Sequence, residues 1–167
     1  MFSLTVLTLL EFNKDICTMK FPSKKKKVVS IINLITSISI LVVITSLTRT
    51  EFILPPFLAT AATKYPDPDW RRPRSFSIIT SYVICSLIGV AFSVFHLYGL
   101  IFASVAAFLS FTICVIIDIE HPPAILATFL GVLEKVGPLY ILHPVLTGVV
   151  VVEGVNYIMT KYGEQRL

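Results

Sequence analysis

The stretch Asp118-Ile119-Glu120-His121-Pro122-Pro123-Ala124-Ile125-Leu126-Ala127-Thr128 decides how the chain folds. Two acids and a histidine stand between a long apolar run and a shorter one opened by two prolines. Proline fits the first turn of a helix, where its missing N–H is no loss. A helix therefore starts at Pro122, and His121 falls at its N-cap. The positive end of that helix's dipole then lies beside the imidazole, and such an end attracts anions. A helix from Pro122 to about Leu133 rises ~18 Å, short of a ~30 Å hydrocarbon core. Residues 118–121 must supply the rest as non-helical backbone at membrane depth, which is tolerated only against protein or a water-filled cavity.

Composition puts that reading in a bilayer. The 167 residues are 55% hydrophobic and 14% charged, with a mean hydropathy of +0.84, which is not the balance of a soluble domain. Most of the net charge of +4 sits in blocks beside apolar runs, as the positive-inside bias predicts, so it calls for no nucleic-acid partner. Cys17, Cys85 and Cys114 are isolated and show no metal-ligand spacing, so they read as small packing residues.

Four long spans are expected, over residues 28–48, 75–96, 99–117 and 138–159. They form a single membrane domain, residues 28–160, between a leader (1–27, ending in Lys24-Lys25-Lys26-Lys27) and a polar tail (161–167). The leader lacks the basic start and cleavage site of a secretory signal. In the first span Ser30, Asn33 and Ser37 recur at helical spacing, so one face looks into a bundle. The second carries Ser77, Ser81, Cys85, Gly89 and Ser93 every four residues, and the third Ala103, Ala107, Ser110 and Cys114; both are close-packing faces.

A second double proline, Pro55-Pro56, opens another short apolar stretch between the first two long spans. Glu51 stands before it as Asp118 stands before Pro122-Pro123, and Ala59-Thr60 answers Ala127-Thr128. The chain reads as two copies of long span, short proline-opened segment, long span, over about 28–96 and 99–160. Charge sets their hand. If each short segment crosses, together with extended residues before it, then the lysine block, Arg71-Arg72-Arg74 and the C-terminal Lys161 and Arg166 share the cytoplasmic side. Three crossings per copy invert the second copy relative to the first. The expected fold is an all-α polytopic membrane protein, four long transmembrane helices plus two short half-helices in an inverted repeat, with both termini cytoplasmic, in the plasma membrane. Such a repeat with proline-interrupted segments points to a midplane transport site, with the two proline ends facing one another.

At these residues the chain resembles the HPP family of integral membrane proteins. The likeness runs from Leu54 to about Tyr157. It rests on Leu54-Pro55-Pro56, Ala59-Thr60-Ala61 and Pro73-Arg74 in the first half. In the second it rests on His121-Pro122-Pro123-Ala124, Ala127-Thr128 and Pro144-Val145-Leu146-Thr147-Gly148. The chain departs from the family pattern where a glycine is usual two residues after each double proline, since Leu58 and Ile125 stand there. Because a plant plastid member is regarded as a nitrite transporter, the resemblance implies a transporter or channel for a small inorganic anion such as nitrite.

The candidate substrate-binding or gating residues are His121, Pro122, Pro123, Pro55, Pro56, Thr60 and Thr128. Asp118, Glu120 and Glu153 are candidates for proton coupling or charge pairing, since ionisable groups at membrane depth are expensive. Glu153 shares nearly one helical face with Asn156 and Tyr157, with Arg49 or a terminal lysine as its expected partner. His143, before Pro144, marks a kink in the last span. No nucleophile–base pair and no metal signature is present, so neither an enzyme, a metal site nor a cofactor is expected. The partners expected are the lipid bilayer, a small anion and, from the small-residue stripes, a second copy of the chain. The alternative is a non-transporting scaffold or accessory subunit. A polar cavity at His121 favours transport, and dry packing there favours the scaffold.

Overall fold

The computed structural model describes residues 24–63 and 72–163. Residues 1–23 of the predicted leader and the Arg71 to Arg74 side chains lie outside the described part, while Lys24 to Lys27, expected in the leader, already belong to the first helix. Among the described residues all regular structure is helical: α1 (Lys24–Thr48), a 3-10 turn (Glu51–Ile53), α2 (Leu54–Ala62), α3 (Arg72–Val94), α4 (Leu100–Ile116), α5 (Pro122–Leu133), a 3-10 turn (Pro138–Ile141), a π turn (Leu142–Leu146) and α6 (Thr147–Ile158). Lys27–Thr48, Ser75–Val94 and Pro138–Ile158 are long and apolar enough to cross a membrane. The fourth expected span is α4, 17 residues, or about 26 Å. The last span is not one continuous helix: His143 takes extended angles (φ −138°, ψ 125°) inside it. Proline at 144 forces this, because the residue before a proline is driven out of the helical region.

The helix ends share one device. Arg49, His96, Asp118 and Lys135 adopt left-handed angles, φ 54° to 58°. The next N–H in each case folds back on the last turn: Thr50 to Thr45 O (2.9 Å), Leu97 to Phe92 O (3.0 Å), Ile119 to Cys114 O (2.9 Å) and Val136 to Gly131 O (3.1 Å). That 6→1 bond satisfies carbonyls which a helix end otherwise leaves orphaned. Asp118 thus has a structural duty that its sequence context did not announce.

Three connections lie at one end of the bundle. The Lys135 ammonium sits 5.1 Å from the centre of the Tyr98 ring, joining the α3–α4 turn to the turn after α5. Phe52 stacks on Tyr140 at 6.1 Å, bringing the chain after α1 to the same end. From there α2 runs back along α1, and its last residues, Ala61 and Ala62, share a groove with Lys27, Ser30, Ile31 and Leu34. The short segment therefore returns the chain towards the lysine end, as a crossing does. Likewise α5 returns from the Asp118 end to Lys135, antiparallel to α4. Each short helix thus reverses the direction of the long helix before it, the reversal that the expected inverted repeat needs.

The half-helices differ in how they begin. In the first repeat Glu51–Ile53 is a 3-10 turn that runs into α2, not the extended link expected. Leu54 is already helical (φ −56°, ψ −43°), although a proline follows it. In the second, His121 is extended (φ −137°, ψ 98°) and α5 starts cleanly at Pro122.

Around them the long helices pack by their small faces. Ser81, Cys85 and Ser93 on α3 and Ala103, Ser110 and Cys114 on α4 are buried. Gly89 approaches α5 so closely that an added Cβ would meet the Thr128 carbonyl oxygen at 3.1 Å. Large apolar side chains such as Ile101, Phe108 and Ile116 stay exposed, as a lipid-facing surface requires.

Candidate functional site

His121 lies 4% exposed inside the bundle. Its Nε2 is 2.9 Å from Thr60 Oγ1, and the Tyr82 hydroxyl lies 2.7 Å from the same oxygen. Thr60 also reaches the Pro56 carbonyl at 3.0 Å. A threonine hydroxyl has one proton to give and two lone pairs. The Pro56 carbonyl can only accept, whereas the Tyr82 hydroxyl and the His121 ring nitrogen can each take either role. All three groups converge on one hydroxyl oxygen. The first repeat thus supplies the hydrogen-bond partner of the buried imidazole.

Aromatic packing surrounds this trio. The Tyr82 ring lies 5.8 Å from the His121 ring and 5.5 Å from Phe57. Phe57 is wholly buried, and its ring occupies the space beside Gly148 that a side chain there would take. Tyr82 and Phe57 are the site residues that sequence reasoning missed. The available signal was a tyrosine inside an apolar span, whose hydroxyl needs a partner once buried.

The proline ends turn out to be poor in donors. Pro122 and Pro123 carry no N–H, and the Ala124 N–H is bonded to the His121 carbonyl at 2.9 Å. In α2 the first-turn groups are bonded through the 3-10 turn, with Ile53 N–H on Thr50 O and Leu54 N–H on Glu51 O. A double proline places a helix start, yet strips it of the N–H groups that usually hold an anion. What remains at α5 is the dipole and the imidazole. Pro56 and Pro123 are buried while Pro55 and Pro122 are exposed. The bond joining the two short helices runs from His121 to Thr60 in the last turns of α2, so the proline end of one repeat meets the far turn of the other.

The remaining candidates fall into three places. Thr128 is buried, but its hydroxyl donates to the Cys85 carbonyl at 2.7 Å and meets Ser110 at 2.8 Å, which makes it a clasp between α3, α4 and α5. Asp118 and Glu120 are exposed. Glu153 is 5% exposed on the α1–α6 interface, with the Asn156 amide nitrogen 3.5 Å from its Oε1. Since a carboxylate only accepts, Asn156 turns its NH2 to Glu153 and its carbonyl to Asn33, whose NH2 lies 2.6 Å away. Tyr157, expected on this face, is exposed at 43%. His143 Nδ1 meets Thr147 Oγ1 at 2.9 Å, one turn further along. Among the described residues no three His, Cys, Asp or Glu side chains gather as a metal set.

Neither the curated proteins nor the solved structures offer a match. The family model described as HPP, transmembrane region, matches residues 19–166, which take in both double-proline segments and every long helix. The chain is an integral membrane protein of the HPP family.

Proposed function

We propose that this protein is a transporter or channel for a small inorganic anion such as nitrite, and not an enzyme. The observation that supports the reading best is His121 itself, buried between the two repeats at the positive end of α5 with its Nε2 2.9 Å from Thr60 Oγ1. Hydrogen bonds to a charged acceptor are shorter and about twice as strong as neutral ones. An anion reaching His121 therefore competes well for an imidazole N–H, and in taking it weakens the tie between His121 and Thr60. The His121–Thr60 bond then acts as a latch between the repeats. The lysine start of α1 and the end of α6 share one side of the bundle, which supports placing both termini in the cytoplasm, with the plasma membrane as the membrane we favour.

A second reading, a membrane scaffold or accessory subunit, draws support from the same burial: His121 is 4% exposed and already hydrogen-bonded. Liposome uptake separates the two. Purified protein is reconstituted and offered nitrite, nitrate, formate and chloride, with and without a pH gradient. Transport requires flux above empty liposomes for at least one anion, and a fall of at least about tenfold in His121→Ala, the scale of losing one charge-assisted bond. Wild-type flux equal to that of empty liposomes for all four anions sinks the transport reading.

A further inference from the structure

The groove between α1 and the end of α2 encloses about 340 Å³ and is lined by Lys27, Ser30, Ile31, Leu34, Ala61 and Ala62. That volume falls within the usual range for a ligand site, roughly 300–1,000 Å³. The four α1 residues are spaced i, i+3, i+4 and i+7, so they form one face of the helix. Along this face chemistry changes in one direction. Lys27 is exposed at the mouth, Ser30 adds a hydroxyl, and Ile31 and Leu34 continue the wall for about 10 Å towards the membrane interior. Opposite them α2 presents only alanines, which leave the channel open where larger side chains would fill it. Ile31 is 58% exposed, so the groove faces outward to the bilayer.

We propose that this groove binds a single anionic phospholipid, with its phosphate at Lys27 and Ser30 and an acyl chain along Ile31, Leu34, Ala61 and Ala62. Charge complementarity selects this occupant. The mouth belongs to a run of four lysines, Lys24 to Lys27, and basic runs at the end of a membrane helix attract anionic headgroups. The apolar walls suit a chain and offer nothing to a free, fully hydrated phosphate. Because Ala61 follows Thr60 directly, an occupied groove also braces the end of α2 against α1.

Native mass spectrometry of the detergent-solubilised protein, with equimolar phosphatidylglycerol and phosphatidylcholine added, tests this. The phosphatidylglycerol adduct should exceed the phosphatidylcholine adduct, and Lys27→Ala should lower the preference about fivefold, the scale of one lysine near an anionic surface. Ala62→Phe, at an exposed position, should remove both adducts while the melting temperature holds. Lys161→Ala should change neither. Equal binding of the two lipids, a preference unchanged in Lys27→Ala, displacement of the lipid by millimolar inorganic phosphate, or a dimer that Ala62→Phe dissociates would each overturn the proposal.

Discussion

Phe57 and Gly148 are complementary: the ring of the first fills the place where a side chain on the second would stand. They come from different repeats, and their contact sets how closely α2 approaches α6. Gly148→Ala should destabilise the protein by about 1–3 kcal/mol, the range for overpacking a filled core. Gly154→Ala, where an added Cβ meets nothing within 4 Å, should be neutral or mildly stabilising through helix propensity. Thermal unfolding in detergent measures both, and recovery of Gly148→Ala by Phe57→Leu identifies the clash.

Thr60→Val keeps the shape but removes the hydroxyl that two buried polar groups share. The Tyr82 hydroxyl and the His121 ring nitrogen are left without it, so a cost of about 1–3 kcal/mol is expected. Thr60→Ser should recover most of it. Because both partners meet on one oxygen, Thr60→Val and Tyr82→Phe should fall short of additivity by at least about 0.5 kcal/mol in a double-mutant cycle. Additive losses would show that the three groups do not form one network.

At Asp118 the backbone is left-handed, φ 54°, and the side chain is exposed. Asp118→Gly should therefore leave stability unchanged or raise it slightly, since glycine enters this region without steric cost. Asp118→Val should lower it by about 1–2 kcal/mol. If the carboxylate relays protons instead of shaping the turn, Asp118→Gly abolishes proton-coupled flux in liposomes while the melting temperature holds.

Asn33 and Asn156 join α1 to α6 through an amide pair at 2.6 Å. Asn33→Leu should weaken the fold by about 0.5–2 kcal/mol, the scale for one interhelical hydrogen bond in a membrane. Glu153→Gln tests the direction of the hydrogen bonds from Asn33 to Asn156 and from Asn156 to Glu153, because an amide beside Asn156 can donate as well as accept. A hydrogen-exchange comparison of α1 should show faster exchange in Asn33→Leu, and unchanged exchange would place the stability of α1 elsewhere.

The inverted arrangement and the helix starts at both double prolines were legible because they depend on local composition: apolar run length, proline's missing N–H and the side on which lysine and arginine gather. The small-residue stripe of α3 was legible for the same reason, since spacing by four places Ser81, Cys85 and Gly89 on one helical face. Even Thr60 and His121 were legible as candidates, each standing next to a proline-opened turn. Their partnership was not. The hydrogen bond between them spans 61 residues, and that from Asn33 to Asn156 spans 123. Which side chains meet at that separation depends on how α2 leans on α5 and α6, and a lean of this kind is set by packing, with Phe57 against Gly148, not by any local preference. The same holds for the difference between the repeats. Both carry two prolines, but a 3-10 turn feeds one and an extended histidine the other. The sequence by itself determined that two proline-opened helices lie in the membrane. Only the tertiary structure decided that the histidine of one meets the threonine of the other.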